Sequence, residues 1–210
     1  MKLVIFDCDG TLVDSERLGN LALQQQLAQF DIHYGVDELL EKFRGGKLAS
    51  IIASLEQECR VVFPITFEAE YRAKMNALFD EHLKPNDGVK EMLESLSIQC
   101  CIASSAPKAK IDRALEITGL TDYFGDNIFS SYDVGSWKPD PQLFLHAAQQ
   151  MKSDPKDCCV VEDSVIGLQA AKSAQMKSIY YAPNLSVQHE LASVQIRHMS
   201  ELSNHIATIL

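Results

Sequence analysis

Two aspartates separated by a single residue, Asp7 and Asp9, follow the apolar run Leu3-Val4-Ile5-Phe6. Carboxylates so spaced suit a division of labour. One attacks an electrophile as a nucleophile, while the other gives a proton to the leaving group and later takes one from water. Strand alternation sends Asp7 and Asp9 the same way and Cys8 elsewhere. Gly10 lets the backbone turn close to a ligand, and the loop amides can face an anion. Carboxylates are costly to bury unpaired, so the pair calls for a cation, hydrogen-bond donors or open solvent, with a bound cation the favoured answer. A strand that merely ends in an acidic turn is equally compatible with Asp-x-Asp-Gly by itself.

Three later clusters also stand out. Ser104-Ser105 follows Cys100-Cys101-Ile102-Ala103 and precedes a helical stretch, so a hydroxyl and helix amides could grip a phosphoryl oxygen together. The plain alternative is a serine capping the helix. Glu162-Asp163 closes Cys159-Val160-Val161 and repeats the acidic strand end of the first run. Lys138 lies in Trp137-Lys138-Pro139-Asp140-Pro141, stiffened by two prolines, where a lone lysine is ordinarily a solvated charge. Earlier in the chain, Arg44-Gly45-Gly46-Lys47 sets two glycines between cations, which suits an anionic or polyhydroxy ligand and equally a simple turn between helices.

The elements that must carry these residues alternate. Residues 3–6, 98–103, 127–130, 158–161 and 178–182 read as strands, and residues 89–96, 107–118, 140–151 and 165–175 as the helices between them. A serine cap with Pro107 opens the second of those helices, and Asp140 caps the third. Alternating βα units predict an α/β fold with a doubly wound parallel sheet, whose ligands collect at the carboxyl ends of strands. Residues 15–30, 36–43, 48–59 and 67–80 read as helices with no strand among them. A helical domain over residues 15–83, inserted into an α/β core of residues 1–14 and 84–210, is therefore expected.

The chain has 210 residues, 46% of them hydrophobic, and a formal net charge of −10. That charge argues against a nucleic-acid partner and offers phosphate esters no general attraction, so an anionic substrate must be held by local features. No apolar run approaches the roughly 20 residues of a membrane span and the N-terminus resembles no signal peptide. The expectation is a soluble, cytoplasmic protein without a membrane partner, a monomer or weak oligomer. The six cysteines lack zinc-site spacing and read as buried free thiols. Acidic surroundings speak against a redox role for Cys8.

The string Asp7-Cys8-Asp9-Gly10-Thr11-Leu12-Val13-Asp14-Ser15 resembles the first motif of the haloacid dehalogenase-like hydrolases in its phosphatase version. The dehalogenases proper lack the second aspartate, so Asp9 implies phosphoryl chemistry. Ser104 resembles the phosphate-binding residue of the second motif, Lys138 the lysine of the third, and Glu162-Asp163 the acidic pair of the fourth, in the family's order. The resemblance implies a Rossmann-like core with a helical cap and a Mg²⁺-dependent phosphatase working through an aspartyl-phosphate on Asp7, with Asp9 as general acid and base. It also implies that Asp7, the backbone carbonyl of Asp9 and Asp163 ligate Mg²⁺, with Glu162 behind them. Ser104, Ser105, Arg44 and Lys47 are then the residues expected at the substrate, a small-molecule phosphate ester. Sugar phosphates and phosphosugar acids, 6-phosphogluconate among them, are the implied class. Four carboxylates against Mg²⁺ and Lys138 would leave one negative charge. Two alternatives stand beside this reading. A β-phosphoglucomutase would share the first step, but the histidine that branch carries at the cap entry is replaced here by Gly19. A noncatalytic binding module would have no use for the full set of Asp7, Asp9, Lys138 and Asp163.

Overall fold

The computed structural model describes residues 1–43, 46–183 and 189–210. The chain divides into two compact units, Met1–Val13 with Pro85–Leu210, and Asp14–Lys84 inserted between them in sequence.

The inserted unit is helical, with α1 (Glu16–Leu27), α2 (Val36–Phe43), α3 (Leu48–Cys59) and α4 (Phe67–His82). Leu23, Leu27, Leu39, Leu55, Phe63 and Phe67 form its own buried core. The rings of Phe63 and Phe67 stack at 4.0 Å. A core of this kind is what allows the insertion to fold as a unit.

Among the described residues the other unit carries six parallel strands, β1 (Leu3–Phe6), β2 (Gln99–Ser104), β3 (Ile128–Ser130), β4 (Cys158–Glu162), β5 (Lys177–Tyr181) and β6 (Val194–Ile196), in the order β3-β2-β1-β4-β5-β6. β1 is central and all four of its residues are 0% exposed, so neither face tolerates a polar side chain. The helices are α5 (Val89–Ser95), α6 (Lys108–Thr118), α7 (Thr121–Phe124), α8 (Ser131–Val134), α9 (Gln142–Gln150), α10 (Val165–Ser173) and α11 (Leu202–Ile209). The strand order grows outward from β1 in one direction and from β4 in the other. Neighbours β1 and β4 therefore form the switch point, beyond whose carboxyl ends such sheets bind ligands.

Several boundaries differ from the sequence expectation, and two matter for chemistry. Ser104 and Glu162 are the last residues of β2 and β4, still in register with Ser130 and Tyr180, rather than the first residues after them. No serine caps α6, because residues 105–107 turn between strand and helix and Pro107 takes the cap position without a side-chain bond. Helix α9 starts at Gln142, whose amide donates to the Asp140 carboxylate at 2.8 Å.

The cysteines are free thiols. Cys8, Cys101, Cys158 and Cys159 are buried, whereas Cys59 and Cys100 are only partly so. Burial and the negative charges of Asp9 and Asp7 hold the Cys8 thiol well above its ordinary pKa, leaving it inert. Among the described residues no helix is long and apolar enough to cross a membrane.

Candidate active site

β1 ends at Phe6, but the amide of Asp7 still donates to the carbonyl of Val161 at 2.9 Å, so the β1–β4 pairing runs one residue further. That bond sets Asp7 beside the end of β4, where Glu162 and Asp163 emerge. Past Asp7 the chain coils tightly. The carbonyl of Cys8 accepts from the amides of both Leu12 and Val13, and Gly10 takes a φ of +79°, a conformation that costs other residues strain. Strand alternation therefore does not reach Asp9, whose direction is set by this loop. Asn86, just after the chain returns from the helical unit, donates through its side-chain amide to the carbonyls of Gly10 and Thr11, both at 2.8 Å, and ties the loop down.

Lys138, from the loop between α8 and α9, is buried and not solvated. Its Nζ donates to Asp7 Oδ1 at 2.5 Å and to Glu162 Oε1 at 2.6 Å, with the three side chains 3%, 9% and 1% exposed. It also lies 5.0 Å from the centre of the Phe144 ring. Burial alone would lower the pKa of this ammonium, but the carboxylates of Asp7 and Glu162 outweigh it and keep the lysine charged. Two carboxylates share that one cation. Burial therefore pushes Asp7 up from 3.8 to about 7, against the pull of Lys138 and with the added repulsion of Glu162 and Asp9.

Glu162 and Asp163 are held just as firmly. Glu162 Oε2 accepts from the amide and the hydroxyl of Ser164, both at 2.8 Å, and Ser164 in turn accepts from the amide of Gly167 at the start of α10. Asp163 Oδ1 accepts from the Thr11 hydroxyl at 3.2 Å, linking the β1 and β4 loops. Gly167 is required by this arrangement, because a Cβ there would stand 2.0 Å from the Glu162 carboxylate. Gly167→Ala must push Glu162 off Lys138, since three hydrogen bonds fix where that carboxylate sits. A stability loss of about 1–3 kcal/mol, the usual cost of overpacking, is expected in urea denaturation together with reduced turnover. Unchanged stability and turnover would show that Glu162 is free to shift.

Ser104 is buried at the end of β2, and its hydroxyl oxygen accepts from the amide of Ala106 at 3.2 Å. Ser130, at the end of β3, donates to the Ala106 carbonyl at 2.6 Å, so the turn carrying Ser104 and half-buried Ser105 is pinned from two sides. Asp7, Ser104, Glu162 and Asp163 thus share the carboxyl edge of the sheet on β1, β2 and β4. Lys47 lies in the helical unit, at the N-cap position of α3. Arg44 lies outside the described residues.

Sequence reasoning missed Lys110. Its Nζ donates to Asp9 Oδ2 at 2.8 Å, with side-chain exposures of 23% and 19%. One signal was present: lysines in the first turn of a helix face the positive end of its dipole and want a carboxylate nearby. Lys108 finds its own in Asp112, one turn along, at 2.7 Å. Lys110 finds it in Asp9, across the fold.

The model of the haloacid dehalogenase-like hydrolases matches residues 4–181. The chain is 35% identical over 207 residues to the 6-phosphogluconate phosphatase of Escherichia coli (strain K12), covering 96% of this chain and 93% of that protein. It is 31% identical to the β-phosphoglucomutase of Bacillus subtilis (strain 168), covering 85% and 82%. A haloacid dehalogenase-like protein of unknown function from Agrobacterium tumefaciens has the same fold at a TM-score of 0.87, with 31% identity and coverage of 100% and 99%. The chain belongs to the haloacid dehalogenase-like hydrolase family, within which it is a phosphoric monoester hydrolase.

Proposed function

We propose that this protein removes the phosphoryl group from small phosphorylated carbohydrates through an aspartyl-phosphate on Asp7, and that 6-phosphogluconate is among its substrates. The observation that carries the reaction is the buried Asp7 held by Lys138 at the switch point of the sheet, with Asp9 two residues on. Similarity to the Escherichia coli enzyme supports the substrate. Asp7 attacks phosphorus in line, and the bond to the leaving oxygen breaks as Asp9 gives that oxygen its proton. Asp9, now a carboxylate, takes a proton from water, whose oxygen attacks phosphorus. The bond to Asp7 then breaks, inorganic phosphate leaves, and both aspartates are restored. Lys138 offsets charge on Asp7 and on the transferring group, and Ser104 and Ser105 supply hydroxyls to the phosphoryl oxygens.

The donor set fits Mg²⁺. Among the described residues no three His, Cys, Asp or Glu side chains gather to hold an ion. Asp7 and Asp163, with the backbone carbonyl of Asp9, offer two carboxylates and one carbonyl, which leaves the remaining positions to water and phosphate oxygens, as Mg²⁺ prefers. The charge balance points the same way. If all four carboxylates are ionised, Lys138 and Lys110 leave two negative charges, which a divalent cation neutralises; a count with Lys138 alone leaves one even after the ion is added. When bound, the ion supplies Lewis-acid stabilisation of charge on the phosphoryl oxygens.

Phosphate release from 6-phosphogluconate, glucose 6-phosphate and β-glucose 1-phosphate, with and without Mg²⁺, tests this reading. Mg²⁺-dependent release from 6-phosphogluconate is expected, and none from it would remove that substrate from the proposal. The mutase alternative has support in the Bacillus subtilis relative, and Gly19 bears on it. At that point in α1 a side chain would begin 3.5 Å from the Tyr71 hydroxyl, but glycine offers no group to deprotonate a second sugar hydroxyl, so water is the default acceptor. Incubation with β-glucose 1-phosphate and a trace of the bisphosphate should yield free phosphate. Efficient conversion to glucose 6-phosphate with little phosphate would reverse the assignment.

A further inference from the structure

We propose that Lys110 is the positioning residue of the general acid, holding the Asp9 carboxylate by one oxygen so that the other faces the leaving group; the proposal rests on the phosphatase reading above. Three observations carry it. Lys110 Nζ and Asp9 Oδ2 are 2.8 Å apart across 101 residues of sequence, with both side chains about four-fifths buried. The lysine stands in the first turn of α6, directly after the Ser104–Pro107 turn that Ser104 and Ser130 pin in place, so its Cα is fixed relative to the sheet edge. Lys108, the other cation of that turn, is bound to Asp112 and half exposed, which separates a surface pair from one aimed into the site. The two reacting carboxylates thus each have a lysine, Lys138 on Asp7 and Lys110 on Asp9, from different elements.

The need for such a residue follows from the loop. The terminal torsion of an aspartate is broad and two-fold, so Asp9 would sample more orientations without the Lys110 bond. Proton transfer tolerates little error, and a misplacement of about 1 Å can cost 10²-fold. A bond from Lys110 to Oδ2 narrows that range and leaves proton transfer to Oδ1. Lys110 itself touches no reacting atom in this scheme.

Leaving-group dependence separates positioning of the acid from general loss of charge or fold. A sugar alkoxide must be protonated as it departs, whereas p-nitrophenolate leaves without help. Single-turnover phosphorylation should therefore be measured at saturating Mg²⁺ for wild type, Lys110→Met and Lys110→Arg, using p-nitrophenyl phosphate and the sugar phosphate turned over fastest in the panel above. Lys110→Met is expected to slow sugar release by about 10–10²-fold while p-nitrophenol release changes less than about threefold, with KM little altered and Lys110→Arg recovering most of the sugar rate. Equal losses on both esters, or no loss on either, would overturn the proposal, as would an Arg variant no better than Met. Failure of the wild-type protein to release phosphate from either ester would instead overturn the phosphatase reading, and the role of Lys110 with it.

Discussion

Replacing Asp7 by Asn is expected to reduce phosphate release by at least about 10⁴-fold while leaving the protein folded, because an amide neither attacks phosphorus nor binds a metal as a carboxylate does. The fold should gain where the chemistry is lost. Asp7 titrates near 3.8 in an unfolded chain but at about 7 in the buried cluster, so the native state prefers the protonated form. A carboxyl raised in this way contributes stability that is complete below its unfolded pKa and is lost as pH climbs through its folded one. In chelator, the wild-type protein should lose stability between about pH 4 and pH 7 relative to Asp7→Asn, and the variant should be the more stable of the two at pH 8. Urea denaturation across that range measures the difference. Parallel pH curves would mean that Asp7 is not the strained carboxylate of the cluster, and wild-type-like turnover would remove it as the nucleophile.

Lys138→Met has the next largest expected effect and acts on fold and activity together. The methionine stem can still pack near Phe144, so the change isolates the ammonium, the group that Asp7 and Glu162 share at 2.5 and 2.6 Å. Removing one partner from a buried ionic cluster costs about 3–5 kcal/mol, because the remaining charges stay out of water. The Lys138 charge also lowers the Asp7 pKa, so Asp7 should rise further in the variant. The destabilisation should then be largest above pH 7 and shrink as acid protonates the carboxyl. Turnover should fall by about 10²–10³-fold at saturating Mg²⁺, as when one preorganised electrostatic group is removed. A variant equal to wild type in urea midpoint and in kcat at pH 8 would return Lys138 to the status of an ordinary loop lysine.

The local pattern determined the parts whose physics is local. A four-residue apolar run ending in Asp7 and Asp9 is a buried strand feeding an acidic loop whatever surrounds it, and the β–α alternation after residue 85 implies a parallel sheet because such connections need crossover helices. The long stretch without strand signal marked the helical insertion for the same reason. Ser104, Lys138, Glu162 and Asp163 were legible as chemically odd residues at the ends of apolar runs or beside prolines. What could not be read was which of them meet. That β1 lies between β2 and β4 is a matter of strand order, and only this order brings Asp7 to Glu162 and makes Lys138, 131 residues away in sequence, a buried cation rather than a solvated one. Lys110 is the clearest case. In sequence it resembles Lys108, two residues before it, and only the packing of α6 at the carboxyl edge of the sheet turns one toward Asp9 and leaves the other in solvent with Asp112. Electrostatic pairing across a fold depends on distances that no periodicity encodes, so those residues acquire their roles only when the strands are ordered.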